Sequence, residues 1–375
     1  MGGFTILKKT EPDWRKFLPI AQRHLEYLHE IRRNLCGISG ENFVQGWVDA
    51  FSETGSPIFV NLDHSVSDHS MTIDELTSRS EKVTEELISI VRSTAGHVSA
   101  YKMNEQSMLA FLIAGKPKFV HEAKEVYRDE CEDTFGISVT PQIWTDEKLR
   151  DIPSTTFQIA NILYMLGYDA LHCMPQIGPD VCGALQLAAE KNDKKGTIHV
   201  VNMTHDGYSY VKTEYFQPDA IDKMRKNAIA DMKYEIDIGK RSKSKVRTRA
   251  TAVIEPANRP DEIYEGFKNV YGSKAMILSV GIGPQGALPG CALYAGATCE
   301  GIGRFIFRGK QGIETPENMQ KKAKSCKRCG LMALAARFTF KPYPLSNIMD
   351  ELKEFNPTIA DETKAGLNKI YSNFE

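Results

Sequence analysis

The sequence predicts an α/β fold, a (β/α)8 TIM barrel with N-terminal helical and C-terminal extensions. Three observations carry that expectation. Short runs rich in β-branched and aromatic residues alternate with stretches of helical periodicity, the pattern that parallel strands joined by right-handed crossovers require. There are eight such runs, the number at which a parallel sheet of this kind closes. Finally, Asp63, Lys102, Asp146, Lys148, Thr204, Gln285 and Arg304 stand at or just past the C-terminal ends of different strands. Barrel enzymes assemble their sites on that face, and closure is what would bring such distant positions together. An open doubly wound sheet is the alternative architecture.

Residues 1–55 read as a helical N-terminal extension, with Phe17, Leu18, Ile20, Ala21, Leu25, Leu28 and Ile31 at roughly helical spacing and no evident chemistry. The barrel is expected over residues 56–308. Its first strand, residues 57–63, ends on the carboxylate of Asp63; a polar loop and a helix over 73–93 follow. The second, residues 97–102, ends on the ammonium of Lys102 and leads to helices near 105–112 and 118–135. The third, residues 142–145, is bounded by Pro141, tolerated at a strand's first position. Further strands fall at 168–173, 197–203, 250–254, 275–280 and 297–302, with helices at 156–166, 179–191, 219–232 and from Arg259-Pro260-Asp261-Glu262, where proline and acids suit a first helical turn.

Two segments do not fit the repeat. Near residues 238–249, six cations fall within the ten residues 240–249, which reads as a solvated basic loop inserted in the barrel, with docking of RNA or a partner the less favoured reading. Residues 309–375 form a C-terminal extension containing Cys326 and Cys329. That pair supplies two thiolates where a structural zinc needs four ligands, so no metal is expected there.

Composition narrows the class further. A net charge of −1 over 375 residues gives no bulk field for nucleic acid or an anionic membrane. Eight scattered cysteines in a chain able to bury a core read as reduced thiols, hence a cytoplasmic protein. No apolar run is long enough to cross a bilayer, and the first residues lack the apolar core of a signal peptide.

The chemistry concentrates after the third strand. Residues two apart in an extended chain point the same way, so Asp146 and Lys148 leave the strand side by side, and Asp151 follows beyond the turn, where Pro153 can open a helix. By residue type alone such a cluster is more readily a solvated surface patch. In full, however, Asp146, Lys148, Asp151, Ile152 and Thr155 fill the D-x-K-x-x-D-I-x-x-T signature, and the segment resembles the orotidine 5'-monophosphate decarboxylase family.

Later segments extend the resemblance. Residues 281–286, Gly-Ile-Gly-Pro-Gln-Gly, follow the seventh strand, and Gly303-Arg304 follows the eighth. Glycines let backbone N–H groups approach phosphate oxygens, and arginine adds a forked cation. The resemblance implies that Gln285 touches phosphate and pyrimidine, that Gly303 and Arg304 grip phosphate, that Asp63 and Lys102 hold ribose hydroxyls, and that Thr204 reads the pyrimidine edge. It implies Lys148 as the central catalytic group, flanked by Asp146, Lys102 and Asp151, with no metal or organic cofactor. It also implies a homodimer in which Asp151, Ile152 and Thr155 reach the neighbouring subunit's site.

The chain departs from the family pattern at Thr204, where serine is usual, at Val280 and Pro284 around the phosphate loop, and at Ser154. None of these removes a charged group. A related barrel enzyme acting on a sugar phosphate would be expected to carry a metal-binding acid where Lys102 stands. A catalytically silent scaffold would have no physical reason to keep the alternating charges.

Overall fold

The computed structural model describes residue 4 and residues 12–38, 40–64, 70–146, 152–205, 212–217, 219–237, 243–309 and 312–374. Eight parallel strands close into a barrel: β1 (Ile58–Leu62), β2 (Ala100–Met103), β3 (Gln142–Thr145), β4 (Ala170–Cys173), β5 (Gly196–Val200), β8 (Ala252–Pro256), β9 (Met276–Val280) and β10 (Cys299–Ile302). Neighbours pair in chain order, and β10 closes the ring against β1 with Phe59 opposite Gly301. The eight expected strands are these eight.

Each strand is buried on both faces, as a parallel sheet sheathed by helices must be. Inside, the Phe59 and Trp144 rings meet at 4.9 Å between centroids. Below them the helix Glu41–Thr54 crosses the N-terminal mouth, setting Phe43 at 5.9 Å and Trp47 at 5.8 Å from Trp144. Gly46 permits this approach: a Cβ there would lie 2.1 Å from the Gln142 side chain at the start of β3. The N-terminal helices therefore supply the floor of the barrel, opposite the rim that carries the polar strand ends.

Local signals fix the helix starts. Thr72 and Glu75 form a reciprocal capping box for Ile73–Thr94, and Asn104 caps Glu105–Ile113 through the Ser107 amide. Among the described residues no helix is long and apolar enough to cross a membrane.

The basic insertion differs from the expected loop. It forms an antiparallel hairpin of β6 (Met232–Asp237) and β7 (Lys243–Thr248), so the helix anticipated over 219–232 stops at Ile229. Ile236 and Val246 are buried against Ala184, Leu187 and Phe157, while Lys245 faces outward. Gly183 makes room, since a Cβ there would sit 2.4 Å from the Ile236 side chain. Alternation along a strand lets cations face outward while two aliphatic side chains seat the hairpin on the helix Pro179–Lys191.

The C-terminal extension is equally integrated. Its helix Pro316–Phe338 buries Cys326 and Cys329 one turn apart, and two more helices, Leu345–Leu352 and Asp361–Ser372, bury Ile348, Leu352, Leu367 and Ile370. Lys327 lies wholly inside, donating to the Thr54 carbonyl at 2.6 Å with its ammonium 4.7 Å from the Trp14 ring. Burial, aided by the charge of Lys324, pulls its pKa down to about 7. An amine whose folded pKa lies below its unfolded value costs stability as pH falls from about 10 toward 7, by up to about 1.4 kcal/mol per pH unit. Lys327→Met should therefore flatten this slope: the melting temperature of the native protein relative to the variant should climb between pH 7 and 10. Melting curves that stay parallel across that window would show that the amine remains charged throughout.

Candidate active site

Strand register brings the first group of residues together. Pairing sets Asn61 opposite Lys102 and Lys102 opposite Trp144, so these side chains share the barrel's inner face, which Asp63 and Asp146, two residues beyond Asn61 and Trp144, continue at the rim. Lys102 is 6% exposed, and its Nζ donates to Asp146 Oδ2 at 2.7 Å. Burial opposes the ammonium charge, yet the fields of Asp146 and then Asp63, with the Asp146 hydrogen bond, outweigh it and raise the pKa of Lys102 above the ordinary lysine value. The lysine is thus held charged in a place that would otherwise neutralise it. Asp63 sits half-buried past the end of β1, and its Oδ1 has no hydrogen-bond partner among the described residues.

The backbone around Asp146 is pinned on both sides. Its amide donates to the Met103 carbonyl at 2.5 Å, and His172, buried on β4, donates through Nδ1 to the Thr145 carbonyl. Lys148 and Asp151 lie outside the described residues. Ile152 precedes the helix Pro153–Met165 and is 54% exposed, and Thr155 in its first turn is half-buried. Neither contacts the Lys102–Asp146 pair through any described hydrogen bond.

The second group comes from β5, β9 and β10. Gln285 Nε2 donates to Thr204 Oγ1 at 2.9 Å, joining the turn after β5 to the loop after β9. That loop folds on itself: the Gly283 amide donates to Ala287 O at 2.8 Å and the Gly286 amide to Gly283 O at 2.9 Å. Gly281 and Gly283 take φ of 114° and 86°, backbone shapes that favour glycine. A Cβ on Gly281 would also press within 3.2 Å of Thr204 Cγ2. Gly303 precedes the short helix Arg304–Phe307, and exposed Arg304 shares with Gly283 and Pro284 a cavity of about 560 Å³.

Barrel closure unites the two groups. Because β10 lies beside β1, a Cβ on Gly303 would come within 3.0 Å of the Asn61 carbonyl, two residues before Asp63. Of the residues singled out in the sequence, Asp63, Lys102, Asp146, Thr204, Gln285, Gly303 and Arg304 thus share one rim.

Several supporting residues escaped the sequence reading. Asn61, nine-tenths buried, shares the face of Asp63 by the two-residue period, which would have been signal enough. Asn202 donates to Glu262 Oε2 at 2.5 Å, and Arg259 donates to the Met203 carbonyl, so the turn bearing Thr204 is tied to the helix after β8. Burial disfavours the Glu262 charge, but Arg259, Asn202 and Lys212 outweigh it and keep its pKa below the ordinary range. Nothing local in the sequence pairs residues 202 and 262; only the fold does.

A group of three buried donors, Cys173, Cys182 and His199, lies between β4, β5 and the helix Pro179–Lys191. Cys173 and His199 are directly opposite in the β4–β5 register.

Comparison with known proteins agrees with this geometry. No protein-family model matches the chain. The orotidine 5'-phosphate decarboxylase of Pyrococcus furiosus is 30% identical over 182 residues, 48% of this chain and 72% of that protein. The protein of the same name from Methanosarcina acetivorans is 28% identical over 170 residues, 45% of this chain, and the match spans 66% of its length, just under two thirds. Among solved structures, orotidine 5'-monophosphate decarboxylase from Methanocaldococcus jannaschii, complexed with the inhibitor BMP, superposes with a TM-score of 0.51 at 19% identity, covering 73% of this chain and 97% of that one. A putative orotidine-monophosphate-decarboxylase from Toxoplasma gondii gives 0.56 at 17% identity, covering 79% and 98%. These two likenesses establish the barrel fold, and the Pyrococcus relative establishes kinship in sequence. The chain belongs to the orotidine 5'-phosphate decarboxylase family.

Proposed function

We propose that this chain converts orotidine 5'-monophosphate to uridine 5'-monophosphate and carbon dioxide, a step of pyrimidine nucleotide biosynthesis, without metal or organic cofactor. The observation that carries the reading is the buried Lys102–Asp146 pair at 2.7 Å with Asp63 adding to its field, on the rim that also holds Thr204, Gln285 and Arg304.

Breaking the bond between C6 and the carboxylate leaves an electron pair on a ring carbon that the pyrimidine cannot readily delocalise. A fixed cation aimed at that carbon gains interaction energy as the charge develops, which is the condition for lowering the barrier. Lys148 fills this role and then gives a proton to C6, regaining one from solvent. Asp146 lies beside the departing carboxylate, and Lys102 and Asp151 keep Lys148 charged and oriented. Asp63 and Lys102 hold the ribose hydroxyls, Thr204 and Gln285 read the pyrimidine, and Gln285, Gly303 and Arg304 take the phosphate. Binding energy from that remote phosphate helps hold the site closed and dry, where electrostatic terms are strongest.

The functional unit is a homodimer. Ile152 just before the helix that follows β3, and Ile162 and Met165 on it, with Leu109, Leu112 and Ile113 on the helix after β2, are apolar and exposed, an arrangement suited to a second copy. In that dimer Asp151, Ile152 and Thr155 complete the partner's site.

Purified protein mixed with orotidine 5'-monophosphate in excess chelator should deplete the pyrimidine absorbance of the substrate, and Lys148→Ala should slow this by at least roughly 10²- to 10⁴-fold. No turnover by the native protein would remove the assignment. Lys148→Ala and Asp151→Asn proteins, each nearly inactive, should regain activity when mixed and allowed to exchange subunits; silence despite verified exchange would exclude a shared site.

A further inference from the structure

The C-terminal extension touches the candidate site directly. Its segment between residues 355 and 360 crosses the loop after β9, and the Ala360 amide donates to the Gly286 carbonyl at 2.8 Å. Contact is close enough to dictate sequence: a Cβ on Gly286, whose φ is 93°, would lie 2.7 Å from Ala360 Cβ. The same segment helps line the cavity of about 560 Å³ that Gly283 and Arg304 share, contributing Asn356 and Thr358 to its wall.

The segment is anchored on both flanks. Upstream, Phe355 packs edge-on against Phe305, 6.2 Å between centroids, within the short helix that Arg304 opens. Downstream, the helix Asp361–Ser372 buries Leu367 and Ile370, and its Gly366 approaches Pro260 so closely that a Cβ would fall 3.0 Å from Pro260 Cγ. Thr363 Oγ1 donates to the Asn258 carbonyl at 3.1 Å, and Asn258 Nδ2 donates to the Thr204 carbonyl at 3.4 Å. One terminal segment therefore links the loops after β5, β8, β9 and β10.

We propose that Ala360 is a positioning residue for the phosphate loop: its backbone amide, carried by the C-terminal extension, holds Gly286 so that the loop of residues 281–286 keeps the shape that receives the substrate's phosphate. The inference rests on the decarboxylase reading for its substrate. It assigns a task to a part of the chain outside the expected barrel. The loop's own hydrogen bonds, Gly283 to Ala287 and Gly286 to Gly283, close it upon itself. What the tail adds is an external brace on a glycine-rich turn that would otherwise sample many backbone states.

The cleanest test removes one N–H. Ala360 has φ −69° and ψ 147°, a conformation that proline adopts without strain, and its carbonyl remains free to receive the Lys364 amide at the helix start. Ala360→Pro deletes the donor and puts a ring carbon where the Gly286 carbonyl now approaches; Ala360→Gly keeps the donor and serves as the control. Two readouts are needed. In hydrogen exchange, the amides of Gly283, Gly286 and Ala287 should exchange about tenfold faster in Ala360→Pro than in the native protein or Ala360→Gly, the change expected for losing one hydrogen bond. In turnover, KM for orotidine 5'-monophosphate should rise about tenfold while kcat/KM for the phosphate-free nucleoside orotidine stays unchanged. Unchanged loop exchange would overturn the proposal. So would an equal loss with nucleotide and nucleoside, which would mean general damage rather than a misplaced phosphate loop. Absence of turnover by the native protein would instead refute the decarboxylase reading, with the exchange measurement still deciding whether the tail braces the loop.

Discussion

Closure of the barrel by β10 against β1 is the constraint on which the site depends. Lys102 and Asp146 are 44 residues apart, and Arg304 lies 158 residues beyond Asp146. Only a closed ring of strands sets these ends at one rim. The packing that secures closure lies at the other end, where Phe43 and Trp47 from the helix Glu41–Thr54 press on Trp144, itself packed against Phe59. The opposite rim is left free to carry charge. A lysine as buried as Lys102 would ordinarily tend to lose its proton. Two carboxylates at neighbouring strand ends reverse that tendency, so folding energy from the floor is what keeps an ammonium fixed at the top.

Much of this was legible in the sequence. Strands read as β-branched runs, and their polar last residues mark the rim. Asp63, Lys102 and Asp146 could be placed because a strand's period is two and its end is where a barrel's site lies. The Thr204–Gln285 contact was not legible as a contact, because each residue's position depends on a loop whose shape is set by glycines at positive φ. The hairpin of β6 and β7 was misread for a different reason. Six cations in ten residues outweighed an alternation that buries Ile236 and Val246, and the surface that buries them belongs to a helix some fifty residues earlier.

The extensions were the least legible parts. Helical periodicity in residues 18–34 and 41–54 reported a buried face without reporting what it faces: the barrel's own mouth for the second helix, and that helix together with Pro316–Phe338 for the first. The C-terminal segment gave no chemical signal, since Ala360 acts through a backbone amide that every residue but proline possesses. Glycine at 286 could be read as loop chemistry from the sequence, yet part of its reason is a chain segment more than seventy residues downstream. In both cases the physical cause is a contact between distant elements, and no local pattern encodes it.

The central claim is that a fixed lysine cation stabilises an electron pair at C6 of the pyrimidine. The most direct measurement is exchange of the C6 hydrogen of uridine 5'-monophosphate with deuterated solvent, followed by NMR, because that exchange forms the same carbanion without any decarboxylation. The account predicts exchange catalysed by the native protein and none by Lys148→Ala. Exchange at equal rates in both proteins, or none in a native protein shown to bind the nucleotide, would contradict it.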